Sequence, residues 1–272
     1  MWHKYIMEIK KDGYMKYISH LDMVKLFKNA FKKSGIKLAY SQGFNPHPKM
    51  GFAQPLSLGY SSTCEILEFE VQESIEPTAV IEQLQSSLPK GIEILSCEAF
   101  THNKSFAART FAATYEIVIP IDLTAVSDDS VLKQLSELML KLKEENCDIR
   151  CDLKEICEAF LEQEKIITLK KQKKTGKHVE VDIKNMIRTL NAVYVDAVSD
   201  FASNPVNSSS VNLPPGILTE SKMPAIVLTT TLDSGSNSNL SPELVFTTFA
   251  SFTGIDTARE EVDIKRTALF FE

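Results

Sequence analysis

The chain has 272 residues, 43% hydrophobic and 24% charged, with 30 Lys and Arg against 36 Asp and Glu for a formal charge of -6. That length favours two ordinary domains, and the composition excludes a fibrous or disordered polymer. The acidic balance argues against coating nucleic acid by bulk electrostatics, although local lysine clusters such as 170–177 still offer a positive face.

Residues 5–10 read as a strand, Asp12-Gly13 as its turn, and 14–18 as a short return or helix approach. Ser19 is the expected N-cap of a helix, with Asp22 in the acidic place of a capping box and at the favourable end of the helix dipole. Leu21, Val24, Leu26, Phe27, Ala30 and Phe31 form the expected apolar face. Lys25, Lys28, Lys32 and Lys33 form its polar flank, and Gly35 its stop. A second strand is expected over 38–40, an irregular loop over 41–49, and an extended segment over 50–58 interrupted by Pro55. Residues 64–71, CEILEFEV, read as a strand with Ile66 apolar and Glu65, Glu68 and Glu70 around it. Pro77 opens a helix carrying Val80, Ile81 and Leu84 up to Leu88, Pro89-Lys90-Gly91 stops it, and 92–97 is the last strand. The order strand, helix, strand, strand, helix, strand predicts a split βαβ, ferredoxin-like domain over residues 1–100.

After a polar join over 101–109, residues 113–119 read as a strand and 130–144 as a helix. Residues 152–161 form a weaker helical segment, 165–169 and 179–183 a hairpin turning at 174–177, and 185–190 a short helix. The Ser, Asn and Pro content of 199–219 reads as an exposed irregular insertion. Residues 225–232 form a strand, Ser241 caps and Pro242 opens a helix with Phe246 and Phe249 inward, and 261–271 closes the chain as a strand. The expected fold is α+β, tandem ferredoxin-like modules with antiparallel sheets, the second spanning 110–272 and carrying the insertion.

The N-terminus runs from Met1 directly into alternating apolar and polar residues, so no signal peptide is expected. The apolar runs fall far short of the roughly 18 residues of a membrane span, so the expected location is the cytoplasm, with no membrane partner and reduced cysteines. Cys147, Cys151 and Cys157 are spaced C-x3-C-x5-C, and with Cys64 and Cys97 they read as small core thiols. A CxxxCxxC cluster motif is absent, and no metal or cofactor is assigned.

The chemistry-bearing residues concentrate in 19–59. His20 and Asp22 stand two apart at a helix start, and they converge with His47 if His20 turns toward the loop. These three are the candidate catalytic residues, His47 being a proton carrier near neutral pH. Gln42 and Asn45 offer amides suited to a base edge or a phosphate, while Lys49 and Arg266 add phosphate-directed charge, making these four the candidate substrate-binding set. The same residues have structural readings: Asp22 as a cap, His20 as a brace from helix to sheet, and Gly43, Pro46, Pro48 and Gly51 as loop shapers. No HExxH-type spacing supports a metal at His20, Asp22 and His47, and Ser19 and Ser41 lack a nucleophile-elbow context.

The segments Ser19-His20-Leu21-Asp22 and YSQGFNPHPK (40–49), with Pro55-Leu56 and Gly59, resemble the signature of a radical-SAM-associated family of uncharacterised bacterial proteins. Weaker similarity continues through Val181-Asp182-Ile183-Lys184, Leu240-Ser241-Pro242-Glu243 and Lys265-Arg266-Thr267. Members occur as separate chains or fused behind a radical-SAM protein, so the resemblance implies a separate radical-SAM protein as partner. It supplies neither substrate nor catalytic assignment. This chain has Lys265-Arg266 where the family often has His-Arg, which removes an imidazole and keeps an anion-binding option. The leading expectation is an RNA-binding or RNA-modification component that presents substrate to that enzyme. The alternatives are an enzyme acting on a small anionic metabolite and a non-catalytic protein-interaction partner.

Overall fold

The computed structural model describes residues 2–101, 104–121, 150–171, 176–195 and 224–272. The expected helix at 130–144, the insertion at 199–219 and turn residues 174 and 175 lie outside the described residues. Among the described residues, no helix is long and apolar enough to cross a membrane.

The chain divides into two compact units, the first comprising residues 1–113, 234–237 and 265–272. Its first strand, β1 (His3–Lys11), alternates so that Tyr5, Met7, Ile9 and Lys11 all turn to the buried face. Helix α1 (His20–Ser34) starts at Ser19, whose hydroxyl accepts the Asp22 N–H, and ends at Gly35 with φ 78°. That positive φ is the left-handed cap glycine adopts without a Cβ clash. Strands β2 (Met50–Phe52) and β3 (Tyr60–Val71), helix α2 (Pro77–Gln85) and strand β4 (Ile92–Ala99) complete the set. The strand order is β4-β1-β3-β2 with every pair antiparallel. Tyr5 faces Phe69 across β1 and β3, their rings stacked at 5.5 Å. Phe27 and Phe31 of α1 join them in the core, where each fully buried apolar side chain contributes about 1.5–3 kcal/mol. That burial far outweighs an exposed ion pair such as Lys37 with Glu73.

The C-terminal strand (Asp263–Phe271) neighbours β3, which is why its residues from Lys265 onward belong to the first unit rather than to a second domain spanning 110–272. The polar join contains a short helix, α3 (Phe106–Arg109), whose Phe106 ring meets Phe271 edge-on at 4.8 Å.

The second unit comprises residues 114–233 and 238–264. Its strands are β5 (Thr110–Pro120, from Thr114 onward), β6 (Arg150–Asp152), the hairpin β7 (Ile167–Lys171) and β8 (His178–Asp182), β9 (Ile187–Val195) and β10 (Ala225–Asp233). The order is β5-β10-β9-β6, with β7 and β8 forming a separate two-stranded sheet. Helix α4 (Lys154–Glu162) brings Phe160 edge-on to Phe249 and Phe252 of α5 (Pro242–Thr253), both at 5.4 Å.

Three local expectations change. Residues 38–40 form isolated bridges, Leu38 to Val71 and Tyr40 to Pro48, rather than a strand, because the chain touches β3 only in passing. In α1 the buried face is Met23, Phe27, Ala30 and Phe31, and Leu21 is exposed. Residues 185–190 are not a helix: one 3-10 turn at Lys184–Met186 gives way to β9, where pairing with β10 buries Ile187, Leu190 and Ala192.

Gly91 has φ 95°, its carbonyl accepts the Asp12 N–H at 2.8 Å, and a Cβ there would lie 2.6 Å from the Asp12 carbonyl oxygen. Gly91→Ala therefore combines backbone strain with a clash against main chain and is expected to lower unfolding free energy by about 2–4 kcal/mol, read by urea denaturation. Gly59→Ala, at φ 84° in open space, is expected to cost less.

Candidate nucleic-acid interface

The motif loop is closed by its own backbone. Ser41 N–H donates to the His47 carbonyl at 2.8 Å, His47 N–H donates to Ser41 Oγ at 2.9 Å, and Tyr40 bridges Pro48. Gly43 supplies φ 127°, a conformation L side chains avoid. Pinned at its root, the loop holds Gln42, Phe44, Asn45 and His47 in solvent, with Phe44 completely exposed. A phenyl ring presented to water with no apolar cover has surface available to a ligand.

Past the loop the chain alternates, so Pro48 and Lys49 serve different surfaces. Lys49 is anchored to the sheet: its N–H donates to Ala39, its carbonyl accepts from Glu70, and its ammonium pairs with Glu70 at 2.7 Å and lies 5.9 Å from the Trp2 ring centre. With Lys4, Lys104, Glu68 and Phe100 it lines a cleft of ≈ 260 Å³. Glu68 accepts the Phe106 N–H, and burial pushes its carboxyl above the usual carboxylate range.

A second, larger groove of ≈ 640 Å³ is lined by Lys28, Lys32, Lys37, Tyr40, Pro48 and Gln72, among others. Its legible signal was the spacing of Lys28 and Lys32, which stacks them on one face of α1. The arrival of Lys37 and Gln72 depends on the turn after Gly35 and on β3.

The three candidate catalytic residues are not drawn together. His20, the first residue of α1, sets its ring edge-on to Phe52 at 5.8 Å, the bracing arrangement between helix and sheet. Asp22 accepts from Ser19 Oγ at 2.6 Å and from Lys25 Nζ at 3.1 Å. The Ser19 hydrogen bond, and then Lys25, hold its carboxyl below the usual range. Among the described residues no hydrogen bond or ion pair joins either of them to His47. Nor does any group of three or more His, Cys, Asp or Glu side chains assemble there into a metal site.

Arg266, expected in the substrate-binding set as phosphate-directed charge, is an interior cation. It is 1% exposed, and its Nη2 donates to Glu65 at 2.5 Å and to the Gln54 carbonyl at 2.8 Å. Lys11, also buried, faces the same pair; burial lowers its ammonium pKa, Glu65 opposes that shift and Arg266 adds to it. Cys64 beside them has its thiol pushed up to about 11 by burial, which keeps it an inert core thiol. Sequence alternation in CEILEFEV hid Glu65, because it occupies the inward side of β3 with Leu67, Phe69 and Val71.

The chain belongs to the family described as an uncharacterised protein conserved in bacteria, DUF2344, whose model matches residues 4–242. It is a radical-SAM-associated family. No match was found among curated proteins. Among solved structures the chain is similar to one described as an unknown protein from Galdieria sulphuraria, at 12% identity, covering 98% of this chain and 100% of that one. Its TM-score of 0.24 carries no structural argument.

Two expectations follow from the charges. Glu65→Gln leaves Lys11 and Arg266 buried without this counter-charge and should cost about 3–5 kcal/mol in urea unfolding, without altering the exposed loop. Asp22 has a folded-state pKa below its ordinary value, so its contribution is fully present above about pH 4 and lost as pH falls through the folded pKa. Thermal melts from pH 6 to pH 2 should show a smaller acid-induced drop for Asp22→Asn than for the native chain.

Proposed function

We propose that this protein is a cytoplasmic RNA-binding or RNA-modification component that presents RNA to a separate radical-SAM enzyme. The observation that carries the reading is the motif loop. Its backbone is locked by the reciprocal Ser41 and His47 bonds, while Gln42, Phe44, Asn45 and His47 stand in solvent. Amides, an imidazole and a ring on a rigid support match the splayed bases of RNA loops, which are read on their edges and faces. The family's radical-SAM association supplies the partner class. Tandem ferredoxin-like architecture is part of the same proposal, supported in the first unit by the antiparallel order β4-β1-β3-β2.

One observation favours a second reading, a small anionic metabolite: Lys4, Lys49 and Lys104 share a cleft of small-molecule size. Glu68 and Glu70 in the same lining offset most of that charge, which leaves RNA ahead.

The test is photocrosslinking to cellular RNA, comparing the native chain with Asn45→Ala/His47→Ala. This pair leaves Lys49 and Glu70 joined and keeps the His47 N–H bond to Ser41 Oγ that closes the loop. Crosslinks mapping to 41–49 and falling at least tenfold in the variant are expected. A folded native protein that yields no RNA crosslinks there overturns the reading.

A further inference from the structure

The larger groove goes beyond the motif loop and bears on what form of nucleic acid the protein accepts. Lys28 and Lys32 follow one another by about 6 Å along α1, and the αL turn at Gly35 returns the chain so that Lys37 lines the same concavity. The lining holds these three lysines and no Asp or Glu, whereas the Lys49 cleft contains two carboxylates. Lys37 pairs only loosely, at 3.6 Å, with an exposed Glu73 outside the lining, an interaction that a polyanion in solution readily replaces. The groove therefore has the charge to follow a phosphate backbone despite the chain's net charge of -6.

One wall is aromatic. Tyr40 is 48% exposed and lines the groove together with Pro48. These two residues also form the bridge at the root of the motif loop, so the groove's edge and the loop's base are the same backbone. Lysines along a channel with an open aromatic ring in its lining combine backbone attraction with a stacking platform, the pairing that unstacked strands require. A duplex cannot use it, because its base faces are occupied by neighbouring bases and its recognition runs through shape and 2′-hydroxyls.

We propose that this groove binds single-stranded RNA, with phosphates on Lys28, Lys32 and Lys37 and an unpaired base stacked on Tyr40, delivering the following nucleotide to the motif loop. The inference rests on the RNA reading above and narrows it to one strand and one direction of approach.

The experiment is fluorescence anisotropy of the full chain with a labelled, unstructured 12-nucleotide RNA, alone and annealed to its complement, at 50 to 200 mM salt. Single-strand binding is expected to be at least tenfold tighter than duplex binding and, with three phosphate contacts, to weaken roughly 20-fold over that salt range. Lys28→Gln/Lys32→Gln/Lys37→Gln should flatten the salt dependence. Tyr40→Ala should weaken binding by about 5- to 100-fold while Tyr40→Phe restores it, a rescue that separates stacking from folding. Duplex binding as tight as single-strand binding, or a triple variant with an unchanged salt slope, overturns the groove assignment and leaves the RNA reading standing. Saturable binding to neither RNA removes both.

Discussion

Glu65 is the residue on which the first unit is organised. It lies on the inward face of β3, bonded to Arg266 from the end of the chain and electrostatically coupled to Lys11 from its beginning. A carboxylate and a guanidinium removed from water recover the desolvation cost only with short, well-directed hydrogen bonds, and Arg266 makes them to both Glu65 and the Gln54 carbonyl. Because Gln54 sits just after β2, this one guanidinium ties the segment following the motif loop to the C-terminal strand. The consequence is positional. The chain that leaves the loop through Pro48, Lys49 and β2 is held at its far end by Arg266 and at its near end by the Ser41 and His47 bonds.

Strand β3 divides the labour between its two faces. Glu65, Leu67, Phe69 and Val71 point inward, while Glu68 and Glu70 receive Phe106 N–H and Lys49 on the other side. A run that reads as an acidic strand in sequence is therefore one buried counter-ion and two outer anchors. Glu70 fixes Lys49 within the sheet, so the lysine of the family motif belongs to the support of the loop as much as to any ligand. The freely presented groups are those before it.

Much of the first unit was legible because its signals are local. Ser19 before an apolar helical stripe, Gly35 after it, Pro77 at a helix start and alternation in β1 and β3 each act over a few residues, and each element formed within a few residues of its expected place. What escaped was long-range. Arg266 and Glu65 are 201 residues apart, and a basic residue in a terminal strand carries no local mark that says whether it faces water or a carboxylate. Residues 185–190 carried a mixed pattern, and the partner strand β10 decided in favour of β9. The same asymmetry explains the site: the exposed loop was evident from its Gly, Pro and amide content, whereas the proposed meeting of His20, Asp22 and His47 required tertiary contacts that the fold spends on Phe52, Ser19 and Lys25 instead.

The family motif thus separates into parts with different physical duties. Ser19 and Asp22 start α1, and His20 braces that start against Phe52, so SHLD sets where the helix begins. Setting that origin also sets the rotation of the helix, since each residue advances by a fixed angle. With Met23, Phe27, Ala30 and Phe31 buried, Lys28 and Lys32 must emerge on the side that faces Tyr40 and Pro48. A one-residue shift in the register of the helix would turn it by about 100° and carry the buried face and the lysine row away together. The two halves of the motif, distant in chemistry, therefore meet at one groove: one aligns a row of charges on its lining, and the other raises a loop whose base, Tyr40 and Pro48, belongs to the same lining.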